Sequence, residues 1–511
     1  MSTANRVIKN TGYLYAKMAI TMFISLYTTR LILNSLGASD FGIFNIVGGA
    51  IAMLGFLNNT MSAATQRFMN YSEGEGNKEK QKKIFNVGIV IHASIALFMG
   101  IVLVGMGWVF FNGVLNIPEG RKFAAEVVYG CLIVSTMLTM MNVPYEAAIN
   151  AHENMLYYAV VGIIESLLKL YVAFACVYTS HDKLVVYGVL MAAIPWITLT
   201  IMKVYCHRHY EECVLAPRRY FDKSVMKEMT GFAGWNFLGA TTSLLGNYGM
   251  GIIVNHFYGT VLNAAMGIAT QLNGQLLVFS NNMMKALNPV IVKSEGAQQH
   301  DNMVKYAFIG CKFGFYLLAV FAIPFMIEAP YILRLWLKNV PEWTVLFVRL
   351  QIIRSLIELT FNGLSTSLNA VGDIKAINIS AGILYLLPLV VSGLMFHFHF
   401  PPYWIYLNAI IFMSLSNRFV WLICCKKFCG IRMWDFVRKV VLPALICFAL
   451  PYCCGYLYTT TTSESFLRLI VCCLVTTFAF ITTVWFAGLD STEKSFILSV
   501  TSKLKKKISH S

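Results

Sequence analysis

The sequence predicts an all-α polytopic membrane protein: about fourteen transmembrane helices, in two pseudo-symmetric six-helix lobes followed by a C-terminal helix pair. Three observations lead there. Hydrophobic residues fill 57% of the 511 positions and charged residues 13%, and the mean hydropathy is +0.64, too apolar for soluble cores of ordinary domain size. Apolar stretches of about 20 residues alternate with short charged or turn-rich breaks. Residues 11–88 also recur, faintly, near 230–310.

The recurrence rests on anchors at nearly one offset. Thr11-Gly12 matches Thr230-Gly231 (230 − 11 = 219), Asn58-Asn59 matches Asn281-Asn282 (281 − 58 = 223), and Ser72-Glu73-Gly74 matches Ser294-Glu295-Gly296 (294 − 72 = 222). Lys83 and Gly88 recur as Lys305 and Gly310 (305 − 83 = 222), and Asn150-Ala151 as Asn369-Ala370 (369 − 150 = 219). Two copies of one membrane lobe are the expectation, and in transporters the substrate path runs between such copies.

Taken in order, the apolar stretches fall at about 10–36, 41–69, 84–113, 123–150, 155–179, 183–206, 228–257, 262–293, 303–333, 343–371, 375–397, 403–425, 440–460 and 466–488. The first is too long for a signal-peptide core and lacks a small-residue cleavage site, so it is expected to stay as a span. The lobes are placed at 1–210 and 211–425, with 426–511 holding the extra pair and a basic tail. About three quarters of the loop Lys and Arg, from Lys78 to Lys83, Arg208 to Lys227, Lys426 to Lys439 and in the tail at Lys503 to Lys507, share one face with both termini. The opposite loops hold Arg121, Lys122, Lys183, Arg334, Lys338 and Arg468, so both termini are expected in the cytoplasm. Because the +16 net charge sits in connectors beside helices, it points to a membrane surface and away from nucleic acid.

Polar stripes sort the helices, since a lipid-facing surface must be apolar. The second stretch carries Asn45, Asn59, Ser62 and Gln66 along one face; the eighth carries Gln271, Gln275, Asn282, Lys285 and Asn288; the seventh is glycine-rich. These are expected to line the interior, together with the first helix through Lys17, Thr21, Ser25 and Thr28. Arg30 lies thirteen residues past Lys17, about 220° further round an unbroken helix, so the two share a face only if the helix bends. Deep charges remain at Glu146, in the i,i+4 pair Glu165 and Lys169, and in the pair Arg354 and Glu358. The two pairs are expected to be mainly self-neutralising. The last two helices are nearly uniformly apolar and are expected to face lipid, as a groove for a lipid tail or as a stabilising addition.

Enzyme signatures do not appear: no P-loop, HExxH or GxSxG occurs, and the outer loops are too short for a catalytic domain, so no catalytic residue is assigned. The thirteen cysteines show no zinc-ribbon spacing and read as packing residues; neither a metal nor a cofactor is expected.

The run Arg30-Leu31-Ile32-Leu33-Asn34-Ser35-Leu36-Gly37-Ala38-Ser39-Asp40-Phe41-Gly42, with Phe56-Leu57-Asn58-Asn59 and Ala64-Thr65-Gln66-Arg67-Phe68, resembles the bacterial Wzx-type polysaccharide flippases of the multidrug/oligosaccharidyl-lipid/polysaccharide exporter (MOP) superfamily. Asn150-Ala151 and Asn369-Ala370 stand near a short Leu-x-Ala-x-Gly-like turn of that superfamily, where residue 152 is read as His in place of Gly and Gly372 fits. The resemblance implies alternating access around a V-shaped cavity between two lobes. It also implies transfer of an undecaprenyl-diphosphate-linked oligosaccharide across the bacterial inner membrane, for surface polysaccharides such as O-antigen, beside polysaccharide polymerase machinery. The candidate substrate contacts are then Lys17, Arg30, Asn59, Gln66, Arg67, Gln271, Gln275, Asn282, Lys285 and Asn288, amides for sugar and cations for diphosphate. Glu146, Glu165 and Glu358 are the coupling-ion candidates. A multidrug exporter of the same superfamily is the alternative. It needs cavity carboxylates, which the first, second, seventh and eighth helices do not clearly supply. A polysaccharide polymerase or ligase would be expected to carry a long outer loop.

Overall fold

Gly37 adopts φ 76° and ψ 168°, a conformation open to glycine, and there the first helix, α1 (Thr3–Ala52), kinks. Gly259 does the same at φ 80° and ψ −173° inside the 74-residue α8 (Lys223–Gly296), 222 residues later (259 − 37). The repeat offset is thus visible in the backbone. It recurs in a pair of buried thiol contacts 219 residues apart, Cys206 on the Tyr145 carbonyl and Cys425 on the Leu364 carbonyl (425 − 206 and 364 − 145).

A computed structural model describes residues 3–52, 55–111, 117–337, 339–491 and 493–495, which are helical throughout with short connections. The expected tail lysines and Lys338 lie outside the described residues, as does the side chain of Asn45. Between α1 and α8 run α2 (Gly55–Glu75), α3 (Lys78–Val109), α4 (Lys122–Ala151), α5 (Met155–Tyr178), α6 (Lys183–His209) and the single turn α7 (Pro217–Tyr220). After α8 come α9 (His300–Ile327), α10 (Ala329–Leu337), α11 (Thr344–Thr360), α12 (Asn362–Val371), α13 (Lys375–Leu384) and α14 (Leu387–His397). The chain ends with α15 (Trp404–Asn408), a π-helical stretch (Ala409–Ser416), α16 (Asn417–Phe428), α17 (Met433–Phe436), α18 (Leu442–Thr460) and α19 (Phe466–Thr483).

Among the described residues, eleven helices are long and apolar enough to cross a membrane, one of them being α8, which holds two of the expected stretches on either side of its kink. The two stretches that do not qualify are the second, 41–69, which is divided between the end of α1 and α2, and the tenth, 343–371, which breaks at Phe361 between α11 and α12. Both carry the amides and charges that lower hydropathy, from Asn59 to Arg67 and from Arg354 to Asn369.

The chain forms two compact units, one of residues 7–237 with 292–298, the other of 238–291 and 299–511 with 1–6. In the first, α4 packs against α2, α3 and α6. Leu103, Val128, Tyr129 and Leu184 form the core there, with the Tyr129 hydroxyl donating to the Leu103 carbonyl at 2.7 Å. Arg121 bridges Asp40, just past the Gly37 kink, and Asp182, the N-cap of α6. In the second, α9 is central and carries α11, α12, α18 and α19 around Tyr316, Ile323, Phe347, Tyr406 and Phe480. The terminal pair presents Leu445, Leu474 and Phe478 outward, as a lipid-facing pair should. Its inner side is tied to α9: the Tyr316 hydroxyl donates to the Gly488 carbonyl at 3.0 Å and Arg468 bonds the buried Glu328 at 2.8 Å. Lys312, also buried, pairs with Glu493 at 2.5 Å. These contacts favour the stabilising role for the pair.

Candidate functional site

In the first unit, Lys17 meets Tyr158, which also feels the charges of two other sequence-predicted residues. The Lys17 ammonium lies 4.3 Å from the centre of the Tyr158 ring, and its chain passes over Gly162 on α5, where a side chain would overlap it. Glu146 on α4 and Glu165 on α5 act electrostatically on the same Tyr158. Glu146 accepts from Asn142 at 3.0 Å, and Glu165 pairs with Lys169 at 2.6 Å with both side chains half-exposed. α1 has no kink between Lys17 and Arg30, so Arg30 does not share the Lys17 face, and it is exposed. The sequence points to Lys17 and both acids but not to Tyr158, because an aromatic residue on an apolar helix carries no mark of function.

Arg67 sits among aromatic rings, 4.7 Å from Phe68, 5.2 Å from Tyr71 and 5.1 Å from Phe232, with Glu228 and Glu75 nearby. Beside it on α2, Gln66 is partly exposed and Asn59 exposed. In the second unit Gln271 and Gln275 are exposed, Asn282 and Lys285 are partly exposed, and Asn288 accepts a hydrogen bond from Thr366 at 3.0 Å. Glu358 is held by Arg354 at 3.0 Å and by the Ser414 hydroxyl at 2.9 Å, while Arg354, 5% exposed, also donates to Asn247 at 3.0 Å. These contacts link α8, α11 and the π-helical stretch.

One ion network escaped the sequence reading. Glu73 at the end of α2 accepts from Gln81 at 2.5 Å and from Lys78 at 3.2 Å. His152 bonds the fully buried Glu212 at 2.5 Å and stacks on Tyr210 at 4.0 Å. At the offset of 219 the residue equivalent to Gly372 (φ 96°) is Glu153, not His152. Glu153 holds φ 54°, a left-handed conformation that costs an ordinary residue about 1–2 kcal/mol. Tertiary bonds hold it there: Lys293 at the end of α8 reaches its carboxylate at 3.1 Å, and Asn10 donates to its carbonyl at 2.9 Å. The repeated Ser-Glu-Gly tripeptide was the signal that could have found this corner. A Cβ on Gly74 would overlap the Lys293 carbonyl, and one on Gly296 would overlap the Tyr71 carbonyl.

Burial alone would raise the carboxyl groups of Glu73 and Glu212, but it is outweighed. The Gln81 hydrogen bond and the charges of His152, Lys78 and Lys293 hold Glu73 below the usual carboxylate range, and the His152 hydrogen bond and charges of His152 and Lys78 do so for Glu212. Depressed carboxyl values contribute stability that is present above the unfolded value of about 4.3 and lost as pH falls through the folded values. The melting temperature of the purified protein should therefore fall below about pH 4.3, and Glu212→Gln should flatten that acid limb. An acid limb of equal steepness in the variant would remove Glu212 as its source.

Residues 240–394 match the MatE family model. No curated protein sequence matches the chain. Solved structures do. An outward-facing multidrug resistance MATE family transporter of the MOP superfamily superposes with a TM-score of 0.71 at 11% identity, covering 83% of this chain and 95% of that one. A MATE protein in a bent conformation gives 0.71 at 12% identity, again over 83% and 95%. A MOP superfamily transporter from Pyrococcus furiosus, with a binding pocket of reverse polarity said to suggest a different function, gives 0.69 at 12% identity over 83% and 95%. At these identities the likeness is one of fold. The chain carries a MatE-matching segment at 240–394 and has the all-α fold of the MATE transporters of the MOP superfamily.

Proposed function

We propose that the chain is an alternating-access transporter that moves an amphipathic anionic substrate, a lipid-linked oligosaccharide carrying a diphosphate, across the bacterial inner membrane. The observation that carries the anionic reading is the set of cations Lys17, Arg67 and Lys285 on α1, α2 and α8, none of them fully exposed. Arg67 among its rings combines a diphosphate partner with stacking surfaces for sugar. The flippase-like run at 30–42 supports the same substrate class.

Multidrug export is the second reading, and the comparisons favour it more directly, since the matching family model and solved neighbours are MATE proteins. A specific observation also supports it: Glu146 and Glu165, from helices outside the expected lining, act electrostatically on Tyr158, the ring that meets Lys17, and acids with an aromatic ring suit an organic cation. One experiment separates the readings. Purified protein in proteoliposomes is given either a fluorescent undecaprenyl-diphosphate oligosaccharide or an organic cation such as ethidium with a proton or sodium gradient. Flipping of the lipid without cation efflux is the expected result; efflux of the cation alone would overturn it.

A cation about 4 Å from a phosphate oxygen gains roughly 4 kcal/mol at an effective dielectric of 20, before desolvation. Lys285→Ala should accordingly lower lipid flipping at least tenfold at unchanged protein abundance. Wild-type flipping by this variant would remove Lys285 from the substrate path.

A further inference from the structure

Phe257 and Tyr258 stand just before the Gly259 kink of α8, and with Phe396 at the end of α14 they shape a hollow of about 390 Å³ in the second unit. Phe396, 3% exposed, is the buried part of the wall. Phe257 and Tyr258 meet its ring edge to face at 5.8 Å and 4.9 Å, and the Tyr258 hydroxyl donates to the Phe400 carbonyl. At the rim, Phe257 and Phe400 stay 39% and 41% exposed, with the exposed His397 and His399 beside them. Among the described residues no carboxylate, lysine or arginine lines the hollow.

Two features set this corner apart. At the corresponding corner of the first repeat Ser35, the counterpart of Phe257 (257 − 222), donates to the Cys176 carbonyl at 2.7 Å, and Asp182, the counterpart of the lining residue Pro401 (401 − 219), pairs with Arg121. The second repeat holds rings and open space where the first is tied by polar bonds. The backbone is also strained there. The Phe400 amide donates to the Met395 carbonyl at 3.1 Å and the His399 amide to the Phe396 carbonyl at 3.0 Å, a helix ending that glycine usually completes, yet the left-handed position is held by His399, at φ 61°. Strain of this kind collects at ligand clamps.

We propose that this corner binds one sugar ring, as a subsite for the oligosaccharide once it has crossed the membrane. A hollow of this volume suits a small organic ligand. An anionic headgroup calls for lysine or arginine and an organic cation for a carboxylate, and the lining offers neither. A sugar presents an apolar C–H face, which Phe257 and Phe400 can cover, and a hydroxyl edge, for which each neutral imidazole offers one donor and one acceptor. The expected topology puts residues 398–403 outside, opposite the termini, where a flipped glycan emerges. This role rests on the lipid-linked oligosaccharide reading of the substrate.

The test follows acylation of His397 and His399 by diethyl pyrocarbonate, peptide by peptide, in purified full-length protein in detergent, with the exposed His181 as control. The probes are glucose, galactose and N-acetylglucosamine at up to about 100 mM, the range of weak single-ring binding, with choline for comparison. At least one sugar should slow acylation of both histidines saturably, by about threefold or more, without protecting His181. His399→Gly should fold at least as well, since glycine relieves the left-handed strain, but should need about fivefold more sugar for the same protection of His397, the loss of one hydrogen bond. No protection by any of the three sugars, or protection by choline alone, would overturn the sugar site, and so would an unchanged sugar dependence in His399→Gly. Lipid flipping is measured separately on the wild-type protein: protection without flipping would leave the sugar site standing and overturn only the transported substrate.

Discussion

Alanine at Gly74 or at Gly296 should cut the yield of folded protein severalfold and abolish transport in what remains. Each glycine closes a Ser-Glu-Gly tripeptide and meets the carbonyl of the residue just before the other tripeptide, Gly74 against Lys293 and Gly296 against Tyr71. The obstacle to a Cβ is backbone in both places, so no rotamer change relieves it. Overpacking of this kind costs about 1–3 kcal/mol even where side chains can yield. The ends of α2 and α8 would have to part, taking with them the Lys293 bond that holds Glu153 in its left-handed conformation. Size-exclusion profiles of detergent extracts report the yield and proteoliposome flux the activity. Two alanine variants with wild-type yield and flux would show that this contact is not held in the working protein.

Arg354→Met should destabilise the second unit by about 3–5 kcal/mol, the cost of breaking a buried pair from one side. Arg354 is 5% exposed and is the tie between Glu358 and Asn247. Its loss leaves the Glu358 carboxylate, among the described residues, with only the Ser414 hydroxyl within bonding distance and with the Arg418 charge acting on it. Adding Glu358→Gln removes that stranded charge, so the double variant should recover most of the stability, because the two changes are strongly coupled. The readout is a double-mutant cycle of melting temperatures with flux measured in parallel. A double variant that folds and transports makes the pair structural. One that folds well without transporting assigns Glu358 to ion coupling, and a double variant no more stable than Arg354→Met would refute the neutralising role.

Membrane class, the run of helices and the repeat were legible from composition, hydropathy breaks and dipeptides at one offset, because bilayer thickness imposes its length on every span irrespective of neighbours. The kinks at Gly37 and Gly259, 222 residues apart, carry the same repeat into the backbone. Short-range ion pairs were legible too: Glu165 with Lys169 and Arg354 with Glu358 follow from a spacing of four on a helix. Only tertiary structure brought Lys17 and Glu146 to Tyr158, set Phe232 against Arg67, and joined Glu73, His152, Glu212 and Lys293 across four connections. It also placed the left-handed residue at Glu153, where local preference argues for glycine and distant bonds from Asn10 and Lys293 override it. Periodicity reports which face of a helix is polar. Which distant residue meets that face depends on packing between helices 100 or more residues apart, and no local pattern in the chain encodes it.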